Sequence, residues 1–161
     1  MARSGATKQP PGDGPAAQRG EKPPAVIIHS LTQAVAALNA AAEARRPVVL
    51  LSAPDAGVYA GAAWFREVTR AAREAVPKAE CSAILDCGND AGAAMAAIRA
   101  GVNSIVFAGR ADAARRLADI AAQNGAELLT ERPAAILDLG ASFFATAEAL
   151  RRRCLELLGD K

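Results

Sequence analysis

Residues 83–88 read Ala-Ile-Leu-Asp-Cys-Gly, a short apolar run that ends in a carboxylate, a thiol and a glycine. Asn89, Asp90 and an alanine-rich stretch of helical type follow. A carboxylate at such a point can pass a proton to and from a substrate, and a thiolate can bind zinc. Parallel α/β folds present chemistry where a strand ends and a helix begins, so Asp86 and Cys87 are the first candidates for a site. Each has a plainer alternative. Asp86 would equally accept backbone N–H groups at the helix entrance, where Asn89 and Asp90 crowd the same turn. Cys87 would equally be an inert, half-buried thiol rather than a ligand or a low-pKa nucleophile.

The elements that must position these residues repeat a strand–helix rhythm from Ala25 onward. Ala25-Val-Ile-Ile28 reads as a buried strand ending at His29, and Ser30-Leu-Thr-Gln33 has the form of a capping box that starts a helix. Leu31, Ala34, Val35, Leu38 and Ala41 make one apolar stripe before Pro47 stops it. Val48–Leu51 is the second strand, Ser52–Val58 a loop, and Trp64, Phe65, Val68, Ala72 and Ala75 fall on one face of a second helix. Strands over 81–85, 104–107 and 127–130 alternate with helices over 91–99 and 112–123, the latter ending at Asn124-Gly125. Ala134–Leu137 is either a sixth strand or an ordered connection. The last helix carries Phe143, Ala147, Leu150, Cys154 and Leu157 on one side.

Such alternation with short loops predicts parallel strands joined by right-handed crossovers, an α/β fold with five or six strands. Continuous apolar strands predict that both sheet faces are covered. All strand C-termini then share one rim, bringing together His29, Ser52, Asp55, Asp86, Cys87, Arg110, Glu131 and Arg132.

Composition bounds the rest. The chain has 161 residues, 52% of them hydrophobic and only 4% aromatic, so alanine-rich helices should approach the sheet closely. A net charge of +2 with no basic, aromatic-laced stripe gives no reason to expect nucleic acid. Three cysteines without a CxxC spacing fit a reduced, cytoplasmic setting, and no apolar run is long enough to predict a membrane span. Residues 1–24, rich in Pro, Gly and Ala, read as a disordered tail ahead of one α/β domain over 25–161. Their basic residues, Arg3, Lys8, Arg19 and Lys22, are expected to be solvated.

The run from Leu31 to Gly109 resembles the N-terminal half of class II fructose-bisphosphate aldolases, the metal-dependent ketose-bisphosphate aldolases with a TIM-barrel fold. Leu31-x-Gln33-Ala34, Pro47-Val-Val-Leu-Leu-Ser52, Tyr59-Ala60-Gly61, Leu85-Asp86-x-Gly88 and Ala97-Ile-Arg-Ala-Gly-Val-Asn-Ser-Ile-Val106 carry the likeness, in order and at similar spacing. The resemblance implies a shortened TIM-barrel-like (β/α) array, with Asp86 at the position of the proton-transferring acid/base. It puts Cys87 where the family has a metal-ligating histidine, and Ser52 near substrate. It also marks departures. Ala108 replaces a carboxylate, Arg110 replaces a serine, the remaining histidine ligands and phosphate loops lie beyond five or six strands, and His29 is the only histidine.

Two functional readings follow. One is an aldolase-like domain without full lyase activity, a binding or accessory module for a phosphorylated metabolite or a protein. The other is a small metal-assisted aldehyde-lyase using Asp86 on a sugar phosphate. In the second, Cys87 and His29 would hold zinc with Asp86 or Asp55 as third ligand. Arg110, at a helix start, would bind phosphate unless it simply pairs with Asp112, and Ser52 would contact ligand unless it only caps its loop. A response regulator fits poorly, since the first strand ends in His29 rather than paired acids. Five or six strands cannot close at eight-strand curvature. The sheet must therefore flatten into a doubly wound form, be covered at an edge by the last helix, or form a homo-oligomer through the Phe143-Phe144 helix.

Overall fold

A computed structural model of the chain describes residues 21–159. The tail expected over 1–24 lies outside the described residues as far as residue 20, and residues 21–24 form no regular element. The strands are β1 (Ala25–Ile28), β2 (Val48–Ser52), β3 (Cys81–Asp86), β4 (Ser104–Val106), β5 (Glu127–Leu129) and β6 (Ala135–Asp138). The helices are α1 (Leu31–Ala44), α2 (Ala56–Tyr59), α3 (Ala62–Ala75), α4 (Ala91–Arg99), α5 (Ala111–Gln123) and α6 (Ala147–Gly159). Every strand pair is parallel, and the sheet order is β5-β4-β3-β2-β1-β6. The segment at 134–137 is therefore a strand, and it pairs with β1 at the far edge from β5.

Strands 1 to 5 follow one another in a single direction across the sheet. Right-handed crossovers then put all the intervening helices on one face, as in a barrel and unlike a doubly wound sheet. The packing agrees. One core joins the helices to Val26, Ile28, Val48, Leu50, Leu85 and Ile105. The other face is a small cluster made of strand residues alone: Ala25, Ile27, Val49, Leu51, Ile84, Val106 and Leu129. Both faces are covered, but only one of them by helices. The inner face is covered by its own curvature.

That curvature follows from chain length. β5 and β6 lie at opposite edges, yet only residues 130–134 join them. Six Cα steps reach at most ~21 Å, whereas five strand spacings in a flat sheet need ~24 Å before any travel along the strands. The sheet must curl until its edges approach, and the connection crosses its hollow side.

Local signals are mostly where the sequence puts them. Ser30 caps α1, its Oγ accepting from Gln33 N at 3.2 Å. Arg45, in the left-handed region at φ +52°, ends that helix two residues before Pro47. Gly125 takes φ +70° after α5. The last helix differs. Thr146 caps it by accepting from Ala149 N, so Phe143 and Phe144 lie in the turn before it. Its buried side is Leu150, Cys154 and Leu158, while Leu157 is largely exposed. This side packs on α1, where Ala34, Ala37, Ala40 and Ala41 are buried and allow a close approach. No helix of the described residues is long and apolar enough to cross a membrane.

Leu139 joins these parts. It is fully buried, its N–H donates to Ile27 O at 3.1 Å and its carbonyl accepts from Gln33 Nε2 at 2.9 Å. Leu139→Ala should lower stability by ~2–5 kcal/mol in urea titrations, through the cavity it leaves between β1, β6 and α1. Phe144→Ser, at a side chain 97% exposed, should change stability by no more than ~0.5 kcal/mol.

Candidate functional site

Strand alternation decides where the 83–88 segment points its groups. Ile84 faces the hollow with Val106, so Asp86 does too, whereas Leu85 and Cys87 join the helix-side core. Asp86 is 5% exposed and fully engaged. Its Oδ1 accepts from Gly88 N at 2.8 Å and from Asp55 N at 3.2 Å. Its Oδ2 accepts from Arg132 Nη1 at 2.7 Å. The other arm of the guanidinium, Nη2, donates to Ser52 O at 2.7 Å. Arg132 therefore straddles the ends of β2 and β3, carried there by the connection that crosses the hollow.

Ser52 is wholly buried and turned to structural use: its Oγ accepts from Asp86 N at 2.9 Å and donates to Ala53 O at 3.0 Å. Asp55 adopts φ +59° and lays its carboxylate against Gly88, where a Cβ would stand 1.9 Å from Asp55 Oδ1. Gly88 itself has φ +55°, so glycine is required there on both counts. Helix α4 is capped by Asp90, which accepts from Ala93 N at 2.8 Å, and not by Asp86. Asp86 accepts one N–H on the approach to that helix, from Gly88, and a second from Asp55 on the loop after β2.

The Asp-x-Gly pattern occurs a second time. Residues 135–140 read Ala-Ile-Leu-Asp-Leu-Gly, repeating five of the six residues of 83–88. Asp138 Oδ1 accepts from Gly140 N at 2.8 Å, as Asp86 does from Gly88. His29 stands over Gly140 as Asp55 stands over Gly88, with Nε2 2.7 Å from Asp138 Oδ1. Desolvation pushes the Asp138 carboxyl up. The Gly140 N–H, the His29 hydrogen bond and the nearby charges of His29 and Arg132 outweigh it and hold the group below its ordinary range. Arg132 thus acts on both Asp-x-Gly turns, by contact on one and by charge on the other. Asp138 is absent from the residues that sequence reasoning singled out, and Arg132 entered only as part of the rim. The repeated hexapeptide is the signal that would have found the second turn.

Cys87 is fully buried, with Sγ where a Cβ on Gly57 would meet it at 2.5 Å. Burial first, then the charges of Asp86 and Asp90, push its thiol up to about 12. The His29 imidazole lies at β6, with Nε2 2.7 Å from Asp138 Oδ1, while its backbone N–H donates to Gln33 Oε1 at 2.7 Å. Arg110 is exposed and bonds Asp112 at 3.1 and 3.2 Å. Zinc at three protein ligands needs thiolate, imidazole and carboxylate converging on one point. These residues do not fit that demand: the thiol is buried on the helix side of the sheet, the imidazole lies against Asp138, and no group of three His, Cys, Asp or Glu among the described residues could hold a metal.

A family model described as fructose-bisphosphate aldolase class-II matches residues 15–116, close to two thirds of the chain. No match is found among curated proteins. The matched stretch contains β1 to β4 and Asp86, and it ends ahead of β5, Arg132 and Asp138.

Two outcomes test this geometry. Arg132→Ala leaves the Asp86 carboxylate buried without its cation and should cost ~2–4 kcal/mol, less than a fully buried pair because Gly88 and Asp55 still donate. Asp86→Asn in that background should restore part of the loss, measured as a double-mutant cycle in urea. For Cys87, the folded protein keeps the proton to about pH 12 while the free thiol loses it near 9.0. Its contribution is whole below pH 9 and is lost as pH rises from there towards 12. Wild type should therefore lose more stability between pH 8 and 10 than Cys87→Ala, and iodoacetamide at pH 8 should label the half-exposed Cys81 ahead of Cys87 and Cys154.

Proposed function

The chain belongs to the class II fructose-bisphosphate aldolase family, and on that premise we propose that it is a member without lyase activity that binds a phosphorylated small molecule at the strand-end rim. The observation that supports this reading is the Arg132–Asp86 pair. A carboxylate that works as acid/base must take a proton from substrate and return it. Asp86 has one oxygen under two backbone N–H groups and the other under a guanidinium, so three of its four acceptor positions are occupied and one, on the oxygen that Arg132 holds, is left for a substrate. The guanidinium beside that position comes from outside the stretch that matches the family. The metal that would polarise a ketose carbonyl in that family finds no fitting ligand set here, and no step is routed through it.

The same guanidinium suits a phosphate. Both of its arms point at oxygen acceptors on the rim, in the planar fork that pairs with phosphate. A bound phosphate would compete with Asp86 and Ser52 O for Arg132, and Arg110 on the same edge would reach it by exchanging Asp112 for the phosphate. Asp138, held ionised beside His29, is placed to accept a hydroxyl.

The test has two arms. Fructose 1,6-bisphosphate incubated with the protein and excess Zn²⁺ or Co²⁺ should give no triose phosphate. Sugar phosphates should raise the melting temperature of the wild type, with the rise lost in Arg132→Gln and reduced in Arg110→Gln. Turnover that Asp86→Asn abolishes would overturn the proposal in favour of an enzyme, and a melting temperature unmoved by every sugar phosphate would remove the ligand.

A further inference from the structure

A groove of about 710 Å³ opens at the opposite end of the sheet, between α3 and the N-terminal ends of β3 and β4. We propose that it is a second binding site, for a small organic anion with an apolar body, such as an aromatic phosphate monoester. Its volume lies in the range of small-molecule sites. Arg66, Arg70 and Arg73 line one side, at i, i+4 and i+7 on one face of α3. Ser82, Asn103 and Ser104 line the other, and the side chains of these three make no hydrogen bond among the described residues. Phe65, Val102 and Ala83 supply the apolar wall.

The three guanidiniums differ in what they are free to do. Arg70 is taken by Glu67 and Glu74, and Arg66 donates to Ala100 O and to Glu67. Among the described residues Arg73 meets no carboxylate; its one hydrogen bond there, at 3.4 Å, runs from Nε to the Cys81 sulfur, and its terminal arms have no partner. Three arginines against two glutamates leave the groove one charge positive, and Arg73 carries the surplus. An anionic head seated on Arg73 would find hydroxyls and an amide opposite and apolar wall beneath. The chain's own N-terminal stretch does not suit it. Residues 1–20 hold Arg3, Lys8 and Arg19 against Asp13, so they share the groove's sign.

The probe is 1-naphthyl phosphate, with 2-naphthol as the same apolar body uncharged and inorganic phosphate as the head alone, each titrated by NMR and calorimetry into the full chain. Naphthyl phosphate should bind more tightly than either, shift the amides of Ser82, Asn103 and Ser104, and weaken as salt is raised. Arg73→Gln should weaken it tenfold or more, and Ser82→Asp, on an exposed position, should abolish it with the fold intact by circular dichroism. Arg132→Gln should leave the saturation of the Ser82, Asn103 and Ser104 shifts unchanged, which separates this site from the rim. Shifts confined to the rim, equal binding by Arg73→Gln, or no saturation at millimolar probe would each overturn the proposal.

Discussion

Five residues join two strands that lie at opposite edges of a six-stranded sheet, and most of the architecture follows from that shortness. A flat sheet would hold the strand ends too far apart for the connection to span. The sheet therefore curls with its helices outside, and its inner face closes over Ile27, Leu51, Ile84, Val106 and Leu129 without help from any helix. The connection must cross the hollow, and it carries Arg132 across the rim to Asp86. One short segment thus sets both the curvature and the chemical state of the carboxylate at its centre.

The rim shows how fully a strand-end carboxylate can be engaged by its surroundings. Asp86 stands at a strand end facing inward, and its oxygens are given to Gly88, Asp55 and Arg132. Its neighbour Cys87 cannot assist, because adjacent residues on a strand face opposite sides and the thiol is spent in the helix-side core. The second Asp-x-Gly turn, at Asp138, binds the last strand to His29 and β1, with the same aspartate-to-glycine N–H bond. The buried Gln33 then ties His29 to Leu139, so that β1, α1 and β6 form one hydrogen-bonded unit. The two turns differ in burial. Asp86 is closed off and Asp138 is open, which leaves Asp138 and His29 the more accessible pair.

The fold class was legible in the sequence because it depends on local signals that repeat. Apolar runs of four to six residues, the Ser30 cap, the stop before Pro47 and the Asn124-Gly125 ending each fix one boundary, and their alternation leaves parallel pairing as the arrangement short loops allow. Asp86 was legible for the same reason, as the polar end of a buried strand. The last helix was placed too early at Phe143 because two aromatics extend its apolar stripe, whereas the hydroxyl of Thr146 sets its start.

What local pattern could not supply were contacts between residues far apart in the chain. Arg132 meets Asp86 across 46 positions and His29 meets Asp138 across 109, and nothing near either residue announces its partner. Strand periodicity gives which face a side chain takes but not what stands opposite, so it leaves Cys87 open between a ligand and an inert thiol, and the helix layer buries it. The amino-acid order determined the strands, the helices and the rim. Only the closed-up sheet decided which rim residues meet, because that depends on how far a five-residue connection can reach.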